Sequence, residues 1–232
     1  MQVKLNNRLH AVAGFVLPGK TAADIGADHN YLPVYLIING ICPYVVAVER
    51  ATGPYENACQ LVDLLSLSRQ IDVRFGDGLA PLQPGEAATV TIAGMGGFLI
   101  QDILSCQPAV VAQTERLVLQ PQKNSAAVRR WLMDNGWRIV AEQLALDNGF
   151  YYEIIAAEHG EMSLDEDELT FGPCLLAEPH PLLADFLQLK RKDLSSLTEQ
   201  VSAMTGANAA QRLRQLQSAI AQIDRILRRC ER

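Results

Sequence analysis

Over the first 160 residues, apolar positions alternate between helical spacing and short unbroken runs, so amphipathic helices and buried strands should take turns along the chain. Leu5, Leu9, Val12, Ala13 and Val16 recur at helical spacing and predict an opening helix, ended by Pro18-Gly19. TAADIG then reads as a strand, LPVYLIING as a short helix with Pro33 in its first turn and Asn39-Gly40 as its stop, and YVVAVE as a second strand. GPYENACQLVDLLSL predicts a helix. IDVRFGDGL, ATVTIAGMGG and RLVLQPQ predict three further strands, the last two separated by helical FLIQDILS, and AAVRRWLMDNGW predicts a helix stopped at Asn135-Gly136. Strands built almost wholly of Val, Ile and Ala, each followed by a crossover, imply a parallel sheet covered on both faces.

This block ends on a different pattern. WRIVAEQLALDN and GFYYEIIAAEH are β-rich runs joined through Asp147-Asn148-Gly149, a hairpin turn sequence. A doubly wound, mostly parallel α/β sheet with an antiparallel last strand is the arrangement of Rossmann-like class I methyltransferases. A dehydrogenase-type dinucleotide fold usually closes on a parallel sixth strand instead. After Glu158 the chain becomes acidic and aperiodic (EMSLDEDELTFGP), which reads as a linker packing through Phe171. From Leu182 onward Leu183, Leu187, Lys190, Leu194, Leu197, Val201 and Met204 fall at alternating four and three. After Thr205-Gly206 so do Ala209, Leu213, Leu216, Ile220, Ile223, Leu227 and Cys230. The expectation is a Rossmann-like methyltransferase domain over 1–160, a linker over 161–181 and a C-terminal antiparallel helical hairpin (coiled coil) over 182–232. Each hairpin helix should run roughly 35 Å at 1.5 Å per residue. The same heptads also suit a dimerisation coiled coil, although Lys190 in the seam would weaken a tightly closed interface.

Composition narrows the class. With 232 residues, 49% of them hydrophobic, the chain can bury a substantial core. It has no long uncharged apolar stretch and starts MQVKLNNRLHAVAGF, without a signal-peptide pattern, so a cytoplasmic protein with no membrane partner is expected. Five cysteines (Cys42, Cys59, Cys106, Cys174, Cys230) stand singly, which argues for reduced thiols and against a disulfide framework or a metal site. The net charge of −6 hides a division: residues 1–187 carry 11 Lys+Arg against 22 Asp+Glu, and residues 188–232 carry nine against four. A basic tail on an acidic body points to a nucleic-acid surface or to a solvated helix face.

The candidate chemistry lies after the first four strands. Gly26, after strand one, would let the backbone approach a ligand that a Cβ would obstruct. The G-x-G-x-x-G that cradles a pyrophosphate is missing, and Asp28 and His29 stand in its place. Asp24 or Asp28 could face a cationic sulfonium or ammonium group, or could simply cap a helix. Glu49, 23 residues after Gly26, is placed to accept from a ribose diol. Gly76-Asp77-Gly78 puts a short carboxylate where an adenine amine could donate. Ala93-Gly94-Met95-Gly96-Gly97 lacks the acceptor side chains used to methylate an exocyclic amine. A neutral ring nitrogen such as adenine N1 needs no proton removed, so positioning and water exclusion would suffice there.

Together LNNRL, ADIGADHNYLP, VVAVERATGPYENA, RFGDGL, TIAGMGGFLI, VLQPQ and YEIIAAE make the chain resemble the bacterial tRNA (adenine-22)-N1-methyltransferases, over residues 5–158 and again at Phe171–Pro173. The resemblance implies S-adenosyl-L-methionine as methyl donor, tRNA as partner and N1 of an adenine in the D-arm region as acceptor. It implies Asp24, Gly26, Asp28, His29, Glu49, Asp77, Gly78, Gly94 and Gly96 as donor contacts, with Asp28, His29 and Met95 beside the reacting atoms. His29 is expected to orient the loop or the base, since N1 needs no general base. Ala27 stands where a serine is common, Arg50 where the family often has something smaller, and Gln122 where Asn is more frequent. Phosphate contacts are expected from Arg8, Arg129, Arg130, Lys190, Arg191, Lys192, Arg212, Arg214, Arg225, Arg228 and Arg229, on a monomer or weak homodimer. Methylation of another RNA or a small molecule, or a non-catalytic donor-binding scaffold, are the alternative readings.

Overall fold

The first helix begins where Asn6, in an extended conformation, accepts the Leu9 N–H at 2.9 Å and so satisfies one of the free donors of α1 (Asn7–Gly14). The computed structural model describes residues 4–27, 30–178, 180–203 and 207–230. The chain continues through β1 (Ala22–Ile25), α2 (Tyr31–Ile38), β2 (Val45–Glu49), α3 (Thr52–Leu64), β3 (Ile71–Phe75) and β4 (Thr89–Gly96). Then come α4 (Gly97–Cys106), α5 (Pro108–Val111), β5 (Arg116–Lys123), α6 (Ser125–Asp134), β6 (Trp137–Asp147) and β7 (Phe150–His159). Four helices complete it: α7 (Glu166–Phe171), α8 (Pro173–Ala177), α9 (Leu183–Ser202) and α10 (Ala207–Cys230).

The seven strands form one sheet in the order β3-β2-β1-β4-β5-β7-β6. β1 to β5 pair in parallel, and β7 runs antiparallel to both of its neighbours. The β6–β7 hairpin turns on Asn148 and Gly149 at φ 49° and 81°, the left-handed pair that a tight two-residue turn needs. Alternate strand residues feed two cores. Ala23, Ile25, Val46 and Val48 face one layer of helices, and Ala22, Val45 and Ala47 face the other. Both faces of the parallel strands are therefore buried, which is why they read as continuous apolar runs.

The chain divides into two compact units, Met1–Cys174 and Leu175–Arg232. The first reaches beyond the expected end at residue 160 and takes in α7, which the sequence reading assigns to a linker. A capping box between Asp165 and Glu168 starts that helix, and Leu169 and Phe171 are buried. Arg129 explains the attachment and corrects an expectation. The sequence reading places it on a tRNA phosphate; instead it is wholly buried, donating to Glu142 at 2.8 Å, to Glu153 at 2.9 Å and to the Leu169 carbonyl at 3.1 Å. Ser125 donates to the other Glu153 oxygen at 2.8 Å. Burial alone would work against the guanidinium charge, but the two carboxylates hold its pKa above the ordinary value. Arg130, one residue on, is exposed and pairs with Glu166 at 3.0 Å.

In the second unit α9 and α10 pack against each other, and Arg191, in the first half of one, pairs with Asp224, in the last third of the other, as an antiparallel hairpin requires. Their 20 and 24 residues span about 30 and 36 Å. Leu183, Phe186, Leu187 and Val201 are buried on α9, as are Leu216, Ile223 and Ile226 on α10, whereas Leu227 is half-buried. Lys190 is tolerated in the seam because its ammonium sits over the Phe186 ring, 4.3 Å from the centroid. The expected turn at Thr205-Gly206, Met204 and the Cys230 side chain lie outside what is described. Cys42, Cys59, Cys106 and Cys174 take part in no disulfide. No cluster fit to hold a metal and no helix long and apolar enough to cross a membrane occurs among the described residues.

Arg129→Met should leave Glu142 and Glu153 uncompensated in the core and cost about 3–5 kcal/mol in urea unfolding. A loss under about 1 kcal/mol would count against a buried network.

Candidate active site

β1 and β4 are neighbours in the sheet although they are far apart in sequence, so the strand order reverses between them. At such a switch point the crossovers leave to opposite faces and a crevice opens at the carboxyl ends. Here it holds two chambers that share Gly26 and Met95. The first, about 300 Å³, is lined by Glu49, Arg50, Asp77, Gly78 and Leu99 among others. The second, about 340 Å³, is lined by Arg8, Asp24, Tyr31, Gly94 and Gln122 among others. Gly26 has φ +71°, a left-handed conformation that favours glycine, and a Cβ on it would lie 2.4 Å from Met95 Cε and would have to displace that methionine tip.

Asp24 is buried in β1, and the Thr91 hydroxyl of β4 donates to it at 2.6 Å. Burial pushes its carboxyl up to about 7; the Thr91 hydrogen bond opposes the rise, Glu49 adds to it and Arg8 opposes it again. A cation entering the second chamber would recover much of that cost. Glu49, the last residue of β2, is buried and lines the first chamber, and Asp77 lies exposed at its rim. Gly94 lines the second chamber, whereas Gly96 pairs with Lys123 across the β4–β5 register shift and lines neither. The structure thus brings together Asp24, Gly26, Glu49, Asp77, Gly78, Gly94 and Met95. Asp28 and His29 lie outside the described residues.

Two contributors are missed by sequence reasoning. Thr91 is one strand away from the acid it holds, and Gln120 is buried on β5 beside Ala93. Gln120 Oε1 accepts from Arg8 Nη1 at 2.9 Å and from the Gly94 N–H at 3.1 Å. Arg8, expected on a phosphate, is therefore drawn into the second chamber, with its guanidinium 5.6 Å from the Tyr152 ring centroid. Arg50 lines the first chamber. Only the parallel register, which no local signal announces, brings these residues together.

These residues fit an adenosyl-sulfonium ligand. The two chambers meet at Gly26 and Met95, Glu49 and Asp77 could hold ribose and adenine in the first, and Asp24 could hold a positive charge in the second. A seven-stranded sheet of this order, with such a cleft, defines the class I S-adenosylmethionine-dependent methyltransferases. The sequence profile of the tRNA (adenine(22)-N(1))-methyltransferase family matches residues 22–225. The Bacillus subtilis tRNA (adenine(22)-N(1))-methyltransferase is 34% identical over 207 residues, 87% of each chain. A crystal structure of the B. subtilis m1A22 tRNA methyltransferase aligns with TM-score 0.89 and 32% identity over 97% of this chain and 100% of that one. A Streptococcus pneumoniae structure solved with S-adenosyl-L-methionine aligns with TM-score 0.88 and 35% identity over 97% and 100%. The chain belongs to the tRNA (adenine(22)-N(1))-methyltransferase family.

The buried acid sets a pH dependence. Folded Asp24 keeps its proton to about 7, whereas its ordinary value is 3.8, so between these the folded chain binds more protons than the unfolded one. Stability of the ligand-free protein should therefore fall as pH rises through this window, by about 4 kcal/mol at most. Urea midpoints at about pH 5 and about pH 8 should show this drop in the wild type and much less of it in Asp24→Asn; equal slopes would remove Asp24 as its source.

Proposed function

We propose that this protein transfers the methyl group of S-adenosyl-L-methionine to N1 of adenine 22 in tRNA, in the cytoplasm. The observation that carries the reading is the two-chamber cleft joined at Gly26 and Met95, in a chain of this family. On this reading Glu49 accepts from the ribose hydroxyls and Asp77 from the adenine amine of the donor, with Gly78 allowing close approach. Asp24 faces the cationic end, and Gly94 and Met95 border the methyl group; Gly96, which lines neither chamber, leaves the donor set. When bound, the donor supplies an electrophilic methyl on a cationic sulfur.

The acceptor chemistry asks little of the side chains. Adenine N1 attacks with its in-plane lone pair, the new N–C bond forms as the S–C bond breaks, and the bonding pair stays on sulfur. No proton need leave first, so Asp28 and His29 orient the loop and the base without acting as a general base. What the protein supplies is alignment and exclusion of water, in which Met95 serves as an apolar wall. N1 lies on the pairing edge, so the target nucleotide must leave its stack to enter.

For tRNA itself, Lys192, Arg212, Arg214, Arg228 and Arg229 are exposed on the hairpin. With Lys190, Arg191 and Arg225 they form the phosphate surface proposed for the hairpin; Arg130, on the first unit, is proposed as a phosphate contact of its own, and Arg129 leaves the set. Incubation with donor and unmodified tRNA should produce a reverse-transcription stop at adenine 22, absent when guanine replaces it. Label transfer with no stop there would favour another RNA site, and donor binding without any transfer would favour a scaffold.

The triple variant Lys192→Gln, Arg212→Gln, Arg228→Gln should weaken tRNA binding and flatten its dependence on log salt by about 0.9 for each phosphate no longer neutralised. An unchanged slope would make the hairpin a stability or dimerisation element.

A further inference from the structure

The exposed aromatic rings of the first unit are not scattered. Among the described residues they are Tyr31, Phe75, Phe98 and Phe150. Tyr31 opens α2 after β1, Phe75 ends β3, Phe98 is the second residue of α4 after β4, and Phe150 opens β7, which runs antiparallel to β5. Each therefore stands at the end of the sheet where the crevice opens, whereas the opposite end, where α2 and α3 finish, exposes aliphatic Ile38 and Leu64. Single exposed apolar residues are ordinary, but rings gathered around one opening mark a binding surface.

Two of these rings are uncommitted. Phe75 meets Tyr55 edge-on with 5.6 Å between centroids, and Tyr31 lines the second chamber. Phe98 and Phe150, 60% and 66% exposed, stack on no other ring among the described residues and line neither chamber. They flank the crevice from opposite faces of the sheet: Phe150 alternates with Tyr152 and Ile154 on the side of α1, while α4 sends Ile100, Ile103 and Leu104 into the core of the other side. β5 lies between β4 and β7, so its exposed last residue, Lys123, stands between the two rings in the order of the sheet. Lys123 pairs with Gly96, and its Cε lies 3.5 Å from where a Gly96 Cβ would be, beside the start of α4. Arg50 adds a second exposed cation at this end; exposed Asp77 is an acid that the donor reading already employs. Free rings beside a cation suit single-stranded nucleic acid, which sets its bases on the rings and its phosphates on the charge.

The proposed reaction creates such an occupant. When the target adenine leaves its stack, the base on either side of it loses a stacking neighbour, and a ring on each side of the crevice can replace it. We infer that Phe98 and Phe150 stack on the two nucleotides that flank the target in the RNA, and that Lys123 contacts the phosphate between the target and one of them. This rests on the RNA half of the function proposed above and is independent of how the donor is held. It gives the first unit an RNA contact made by stacking, distinct from the phosphate surface of the hairpin.

The test is a gel shift with unmodified tRNA over a range of salt, with 2-aminopurine placed in turn at each position beside the target as a fluorescent reporter of stacking. Phe98→Ala and Phe150→Ala should each weaken binding about tenfold with the salt slope unchanged, since a ring neutralises no phosphate. The reporter should stay quenched on the wild type and brighten on these variants. Phe98→Trp should keep both affinity and quenching, and Phe98→Leu, equally apolar, should lose them. Lys123→Gln should instead flatten the salt slope by about 0.7, the value for one phosphate of a single strand. Calorimetric affinity for S-adenosyl-L-methionine should stay within about twofold in every variant. Unchanged tRNA affinity in both alanine variants, full retention in Phe98→Leu, a slope that falls on ring removal, or a donor loss as large as the tRNA loss would overturn the stacking assignment. An unchanged slope in Lys123→Gln would overturn the role of the lysine. A wild type that binds the donor but no tRNA would instead overturn the RNA reading itself, and this assignment with it.

Discussion

The reversal of strand order between β1 and β4 is the constraint on which the site depends. Because β1 has β2 on one side and β4 on the other, the crossovers that leave the two strand ends must diverge, and the backbone at Ile25–Gly26 faces the backbone at Ala93–Met95 across an open crevice. The gap is narrow enough that Met95 Cε occupies the place of a Gly26 side chain. The positions of the proposed ligand-binding acids then follow from strand length: Asp24 and Glu49 are at or one residue from a strand end, and Asp77 is two residues past β3. The helices and the second core exist, in this view, to keep four strand ends level.

The electrostatics of the cleft are poised and incomplete. The buried Glu49 raises the proton affinity of the buried Asp24, and one hydroxyl and one guanidinium offset part of that cost. A core without ligand would be better served by apolar residues there, so the arrangement exchanges stability for binding of a cation. The same exchange explains Gln120, polar and buried in a strand whose other buried residues are Leu, Val and Pro.

Fold and site are legible to different depths. The βα alternation, the antiparallel close and the heptads are readable because each rests on a spacing of two, three or four residues, which burial enforces locally. Asn148-Gly149 is readable because few other pairs adopt two left-handed residues in succession. Arg129 misleads because it sits next to exposed Arg130 on the same helix, and nothing within a turn distinguishes them; its carboxylate partners arrive from β6 and β7. The placement of Arg8 is illegible for the same reason at longer range, its hydrogen-bond partner Gln120 being 112 residues away. The acidic segment after Glu158 reads as a linker because α7 is too short for helical periodicity to show, and part of its attachment, the Leu169 and Thr170 carbonyls that accept from Arg129, carries no sequence signature.

The network around Arg129 also bears on how this chain can diverge. Removing the arginine strands two acids, removing either acid leaves a buried cation short of charge, and Gly172 is tied to the same knot because a Cβ there would come within 2.5 Å of Glu142. Single substitutions at these positions are each disfavoured, whereas a concerted exchange of all three charged residues for apolar ones of like volume is not. Descendants of this sequence should therefore keep the set intact or replace it as a block, so that the positions change together in a lineage and behave as one inherited character.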